Sequence, residues 1–345
     1  MRVALISPYD LGRFGGVQDQ CFKLAAWLSE AGHEAVVAGP GEGPSGTVSL
    51  GKVRQIPANG ARTPIAIEPG LKARVEDVCG GADVVHVHEP LMPGVGLAAL
   101  AADTPPKVGT FHADPPAWVR RLYRLGRPLL ERRLRRLDVV TAVSPVAQGA
   151  MRRLVPAVRI IPNGIEAESY QRDVARIEGR VVFVGRDDPR KGLAVLREAW
   201  AGVRAAIPEA SLTVVGAEGT DADGIRFLGR VSEEEKRDAL AEASVAVAPN
   251  LGGESFGIVV LEAMAAGCAV VASGLPAFTA VGGEAVQLVP PGDAGALRTA
   301  VVGLLNDSDR SRTLGAQAAE RALEFDRRQV LALYVDAYES AIAGR

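Results

Sequence analysis

Two glutamates eight positions apart open the chemical reading of this chain. Glu254 and Glu262 lie in the run Gly252-Gly253-Glu254-Ser255-Phe256-Gly257-Ile258-Val259-Val260-Leu261-Glu262-Ala263-Met264-Ala265-Ala266-Gly267. Ser255 suits the cap of a helix and Gly267 suits its stop. Such a helix start presents free amides, near Phe256 and Gly257, that can meet a phosphate. Glu262 is expected about two turns in, among Val259, Leu261, Ala263 and Met264. A carboxylate there is costly unless something hydrogen-bonds it. Paired ribose hydroxyls are suitable donors, and Glu254 stands ahead of the helix, level with the sugar end of such a ligand. The plainer alternative is that Glu262 pairs with a buried arginine and Glu254 caps a loop.

A second cluster is cationic. The apolar run Val181–Val184 leads into Gly185-Arg186-Asp187-Asp188-Pro189-Arg190-Lys191-Gly192. Arg186 and Lys191 can neutralise a diphosphate leaving group, arginine through its fork and lysine as a point charge. Asp187 and Asp188 offer local partners for the same cations, which is the competing reading. Lysine is scarce, 6 against 33 arginines, so a lysine here weighs more than an arginine. Near the start, Ser7-Pro8-Tyr9-Asp10 is followed by Gly15-Gly16-Val17-Gln18, where paired glycines let a backbone approach a phosphate. A plain glycine turn explains the same residues. The dinucleotide fingerprint GxGxxG is missing there, which counts against a nicotinamide enzyme. His86 and His88 share one face of a strand beside Glu89, a spacing compatible with a metal.

The elements that position these residues alternate. Val3–Ser7, Glu34–Ala38, Val84–Val87, Lys107–Phe111, Val139–Val143 and Val158–Ile161 read as strands with helical stretches between them. After Pro162-Asn163-Gly164 the series restarts with Val181–Val184, Leu212–Val215, Ile225–Leu228, Val245–Ala248, Ala269–Ala272 and Val286–Val289. Continuous apolar strands belong to parallel sheets buried on both faces. Two such series predict an α/β chain of two doubly wound domains, with ligands beyond the carboxyl ends of the strands. The polar segment Glu166–Arg176 reads as the linker. A last helix, roughly Arg327–Ala343, has apolar positions at Val330, Leu333, Tyr334, Ala337 and Ile342 and fits either domain.

Bulk properties bound the answer. A chain of 345 residues exceeds one ordinary core. A net charge of -2 gives no general attraction to nucleic acid. Cys21, Cys79 and Cys268 are scattered and form no CxxC pair, so they read as buried thiols in a reducing cytosol. The opening MRVALISPYD does not read as a secretory leader, and no apolar run approaches a membrane span.

Taken together, the GGESFGIVVLEAMAAG run, the GRDDPRKG loop, the SPYDLGRFGGVQ opening and IPNGI resemble the family 4 glycosyltransferases. Within them the likeness is greatest to actinobacterial phosphatidylinositol α-mannosyltransferases, over nearly the whole chain. The resemblance implies a GT-B fold, two Rossmann-like domains about a central cleft. It implies an acceptor domain at 1–166, a nucleotide-sugar donor domain at 167–326, and a C-terminal helix, 327–345, that packs back on the first. It implies retaining, metal-independent transfer of a hexose, mannose from GDP-mannose, to a lipid such as phosphatidylinositol, with no cofactor. By the same resemblance Glu254 holds the hexose, Glu262 the ribose, and Arg186 and Lys191 the diphosphate. Ser255, Phe256, Gly257 and Ile258 line the donor pocket, and Gly16 meets the donor phosphates. His112 lies near the transferred sugar, and Tyr9 matches on the acceptor side; without the resemblance His112 reads as structural. The strand of His86 and His88 is used in that family without a metal. The expected chemistry is front-face substitution, in which the departing diphosphate takes the acceptor proton while Arg186, Lys191 and helix amides stabilise its charge.

The acceptor side departs from the lipid enzymes. After His112 comes Ala113-Asp114-Pro115-Pro116, where those relatives carry hydroxyl and lysine side chains, and Leu71–Val78 offers only Lys72 and Arg74 against Glu76 and Asp77. A UDP-sugar donor with a small soluble acceptor, or a nucleotide-sugar epimerase on the same fold, therefore stays open. The segment Ala117–Leu137 carries Trp118, Leu122, Leu125, Leu129, Leu130, Leu134 and Leu137 with eight arginines. It reads either as a basic amphipathic helix on anionic lipid or as an ordinary helix packed on the sheet. Pro128 is expected to bend or break it. The expected location is the cytosol, with peripheral contact at the inner membrane face if the lipid reading holds.

Overall fold

The computed structural model describes every residue except Phe14, Asn59, Gly60, Pro116 and Arg345, and only the backbone of residues 55–58, 61–64 and 117. Phe14 of the opening motif, Pro116 of the segment after His112 and Arg345 of the last helix thus lie outside the described residues. The chain divides into two compact units, residues 1–164 with 328–345, and residues 165–327.

The first unit contains β1 (Arg2–Ile6), α1 (Gly16–Glu30), β2 (Glu34–Gly39), β3 (Thr47–Ser49), β4 (Arg54–Ala58), β5 (Ala61–Ile65), α2 (Leu71–Cys79), β6 (Val84–His88), α3 (Val95–Ala101) and β7 (Lys107–Phe111). It continues with α4 (Ala117–Leu125), α5 (Arg127–Leu134), β8 (Val139–Ala142), α6 (Pro145–Met151) and β9 (Arg159–Ile160). Among the described residues its main sheet runs β3-β2-β1-β6-β7-β8-β9, and every pairing is parallel. β4 and β5 form a separate antiparallel hairpin, which hydropathy did not reveal.

The second unit contains β10 (Ile177–Val184), α7 (Leu193–Ala206), β11 (Ser211–Val215), β12 (Ile225–Gly229), α8 (Glu233–Glu242), β13 (Ala243–Ala248) and α9 (Ile258–Ala265). It continues with β14 (Ala269–Ser273), α10 (Pro276–Gly282), β15 (Gln287–Val289), α11 (Ala294–Asn306) and α12 (Ser308–Ala322). Its parallel sheet runs β12-β11-β10-β13-β14-β15. The strand order of each sheet reverses direction beside its first strand, at β1/β6 and at β10/β13. Those are the switch points where open α/β sheets bind ligands.

Each unit has its own core. Trp200, Phe183, Leu196 and Val301 are buried in the second. In the first, Trp27, Leu24 and Val108 pack with Val330, Tyr334, Ala337, Tyr338 and Ala341 of the last helix, α13 (Arg327–Ala343). The face of α13 differs from the sequence expectation. Leu333 and Ile342 are exposed, and Tyr338 and Ala341 take the buried positions instead. Tyr338 earns its place through a hydrogen bond to His86 as well as by its area.

The segment after Pro116 breaks into two helices, as Pro128 leads one to expect, with Gly126 capping α5 and Pro128 in its first turn, where its missing N–H costs nothing. One further expectation needs correction. The expected linker is not wholly open chain: Ala167–Tyr170 forms a one-turn 3-10 helix that buries Tyr170.

Candidate active site

At the switch point of the second unit, two loops are locked together. Gly192, which closes the loop after β10, adopts φ +74, and a Cβ there would stand 1.9 Å from the carbonyl oxygen of Pro249. Only glycine permits that approach. The Leu251 N–H then donates to the Arg190 carbonyl at 2.8 Å. This clasp brings Lys191 Nζ onto the Glu254 carboxylate as an ion pair, and Asn250 Nδ2 donates to the same Glu254 oxygen at 2.8 Å. Arg190 instead turns to Asp188, where hydrogen bonds from Arg190 hold the carboxyl down at about 2. The local pairing foreseen for this loop thus falls on Arg190. Arg186 is exposed and makes no ion pair among the described residues.

The helix behind Glu254 starts later than Ser255 suggests. Its cap is Gly257, held left-handed at φ +99, and α9 begins at Ile258. Ser255 is therefore not the cap, since only Gly257 tolerates the backbone that turns the chain into the helix. The first intrahelical bonds run from Val260 and Leu261 to the Gly257 carbonyl, which leaves the leading amides of Gly257, Ile258 and Val259 without an intrahelical partner. Phe256 is buried edge-on against Phe325. Gly267, at φ +71, does follow the helix end.

Glu262 falls little more than one turn into α9 and is buried. Its partner is a lysine rather than an arginine: Lys236 Nζ approaches at 2.9 Å, and Tyr170 Oη donates to the same oxygen at 3.0 Å. Burial pulls the Lys236 ammonium down, but Glu262 and Glu233 outweigh it and leave it raised. The structure keeps Glu254 and Glu262 in separate bonding groups, one with Lys191 and one with Lys236.

The switch point of the first unit is built differently. After β1, Ser7 is buried and its hydroxyl accepts from the Tyr9 N–H at 3.2 Å. Tyr9 is half-buried, and burial, then the neighbouring Glu89 and Tyr123, raise its phenol well above the usual range. Gly16 is the first residue of α1, and a Cβ there would meet nothing within 4 Å among the described residues. Packing does not demand that glycine. His112 follows β7, is buried, and shares a hydrogen bond of 2.8 Å between its Nε2 and His88 Nδ1. His86 stacks on His88 at 4.1 Å and is bonded to Tyr338 Oη at 2.8 Å and Thr110 Oγ1 at 2.6 Å. Burial pushes His112 down to about 4 and His86 to about 3, so these rings are neutral near pH 7.

Sequence reasoning passed over Tyr170, Lys236 and Asn250, and named Glu89 only as a neighbour of the His86/His88 pair. Lys236 had a usable signal, since it is one of only six lysines. The others are ordinary in sequence and acquire meaning only from their neighbours.

Comparison with known proteins identifies the family. The family described as "Glycosyltransferase Family 4" matches residues 14–169, and "Glycosyl transferases group 1" matches residues 178–307. The phosphatidyl-myo-inositol mannosyltransferase of Mycolicibacterium smegmatis is 38% identical, covering 99% of this chain and 94% of its own. This chain belongs to the family 4 glycosyltransferases. Its counterpart from Mycobacterium leprae is 37% identical over 99% of this chain and 97% of its own. Among solved structures, Anabaena HepE in complex with UDP-glucose shares 18% identity with a TM-score of 0.77, covering 99% and 100% of the two chains. That likeness concerns the fold, which is GT-B, with two parallel-sheet Rossmann-like units. The protein is a glycosyltransferase, and no helix among the described residues is long and apolar enough to cross a membrane.

Proposed function

We propose that this glycosyltransferase moves a mannosyl residue from GDP-mannose to phosphatidylinositol, with retention and without a metal ion. The observation that carries the reading is the Lys191–Glu254 pair at the β10/β13 switch point, supported by similarity to phosphatidyl-myo-inositol mannosyltransferases. Lys191 and the exposed Arg186 supply positive charge for the diphosphate, and the leading amides of α9 add partial charges. Glu254 accepts from the sugar hydroxyls and Glu262 from the ribose; Ser255, Phe256, Gly257 and Ile258 shape the backbone around them. On the first unit, Gly16 lets backbone approach the donor phosphates, His112 serves the transferred sugar, and Tyr9 serves the acceptor. As the glycosidic bond loosens, the acceptor hydroxyl attacks on the face the diphosphate is leaving, and the diphosphate takes its proton.

Peripheral membrane contact belongs to the same proposal. Trp118, Leu122, Leu125 and Leu129 on α4 and α5 are 55%, 54%, 75% and 55% exposed, with exposed Arg132 and Arg133 close in sequence. Exposed apolar side chains among cations suit an anionic lipid surface.

The test is transfer from GDP-, UDP- and ADP-sugars to phosphatidylinositol vesicles, with and without a chelator. A mannolipid of α configuration, formed from GDP-mannose and unaffected by the chelator, is expected. Preference for a UDP-sugar would overturn the donor. A second reading, a small soluble acceptor, is favoured by Asp114, which ion-pairs with Arg120 at 3.4 Å and offers no cation to a lipid phosphate. Transfer to soluble polyols but not to vesicles would establish it.

A further inference from the structure

Glu89 has no part in the chemistry described so far, yet both its backbone and its side chain are tightly held. It follows β6 at the β1/β6 switch point and holds a left-handed backbone, φ 46, that non-glycine residues rarely adopt. The residue is only 8% exposed. One carboxylate oxygen, Oε1, accepts from the N–H groups of both His112 and Ala113, at 2.6 and 2.7 Å. The other, Oε2, bonds no group among the described residues. Among the described residues no ion pair offsets the charge. The titratable groups facing it are Tyr9 and Tyr123, both of whose phenols it raises, and His112 through the shared loop.

A buried carboxylate without a cation is costly, and a strained backbone adds to the cost. Anchoring the His112 loop accounts for Oε1. It does not account for a second oxygen left open beside Tyr9. An open carboxylate oxygen accepts from hydroxyl groups and repels phosphate.

We propose that Glu89 is an acceptor-binding residue: Oε1 positions the His112–Ala113 backbone, while Oε2 receives a ring hydroxyl of the polyol acceptor and rejects a phosphorylated one. This rests on the reading of the first unit as the acceptor side, and it adds the recognition of a neutral hydroxyl. Only hydrogen bonds form and break in this role.

The decisive variant is Glu89→Gln. Its carbonyl oxygen can keep both backbone anchors, while the free position becomes an NH2 donor without charge. Steady-state transfer to phosphatidylinositol vesicles is measured beside transfer to vesicles of a ring-phosphorylated phosphatidylinositol, together with donor hydrolysis in the absence of acceptor. Loss of a charge-assisted hydrogen bond is expected to raise the acceptor KM about tenfold to a hundredfold, leaving donor KM and hydrolysis within about twofold. Discrimination against the phosphorylated lipid should fall in parallel. Burial pushes the Glu89 carboxyl up to about 7, so wild-type kcat/KM for the acceptor should rise through that pH, and the rise should vanish in Glu89→Gln. An unchanged acceptor KM and unchanged discrimination would overturn the proposal, as would an equal loss of donor hydrolysis, which marks a structural role. Should the wild type itself transfer nothing to either lipid but glycosylate a soluble polyol, the same comparison on that polyol tests Glu89, and only the lipid reading falls.

Discussion

The two switch points of this protein sit on near-equivalent sheets and hold opposite kinds of chemistry. At β10/β13 the groups are formally charged and paired: Lys191 with Glu254, Lys236 with Glu262, Arg190 with Asp188. At β1/β6 they are neutral imidazoles, phenols and hydroxyls in series, with Glu89 the exception. The difference follows from burial. Lys191 and Glu254 keep partial access to water, whereas His86 and His88 have almost none, so the histidines shed their protons and join a hydrogen-bond chain instead. One scaffold thus supplies fixed charge in one place and orientation in the other.

The largest expected effect breaks the charged side. Lys191→Ala should lower turnover at saturating donor by roughly a hundredfold to a thousandfold, the range for removing one electrostatic stabiliser of a leaving group. Turnover within threefold of wild type would remove Lys191 from that role. Acid should next separate the units. His86 and His112 have folded pKa values below the unfolded value of 6.5, so the stability they lend is present above pH 6.5 and is lost as pH falls toward 4. Glu89 opposes them, since its raised value favours the fold at low pH and costs stability as pH rises through about 7. The histidines outnumber it, and the net loss is about 1–3 kcal/mol per pH unit below 6.5. Trp27 and Trp200 report on the two cores separately, so single-tryptophan variants followed by fluorescence should show the first unit unfolding at the higher pH. Simultaneous unfolding of both cores would count against this asymmetry.

Glycines sharpen the contrast at smaller energies. Gly192→Ala should cost at least about 1–3 kcal/mol in urea denaturation, from backbone strain alone before the clash with Pro249. Gly16→Ala meets nothing among the described residues, so its stability should change by less than about 1 kcal/mol. A raised donor KM in that stable variant would mark Gly16 as a functional glycine; an unchanged KM would make it a helix-start residue only.

The charged site was the more legible of the two in the sequence. Glu254, Glu262, Arg186 and Lys191 stand in short glycine-bounded motifs after apolar strands, and contiguity made their association visible. Even so, the cap of α9 was misplaced by two residues. Ser255 has the better capping side chain, but the left-handed turn at Gly257 decided where the helix begins. In the first unit the partners are far apart in the chain: His86 and Tyr338 are separated by 252 positions, Glu89 and His112 by 23. No local pattern joins them. The hairpin β4–β5 was missed for a related reason, since Arg54–Ala58 and Ala61–Ile65 lack the apolar runs of the buried strands.

Alternating apolar runs and glycine punctuation determined the two parallel sheets, because burial on both faces writes itself directly into hydropathy. The same is true of the motif residues at the strand ends, which the chain carries side by side. Tertiary structure alone decided which lysine meets which glutamate, which face of α13 is buried, and that Glu89 holds the backbone of His112. Those outcomes depend on distances closed by folding, and a side chain's partner at such range leaves no trace in its own neighbourhood of the sequence.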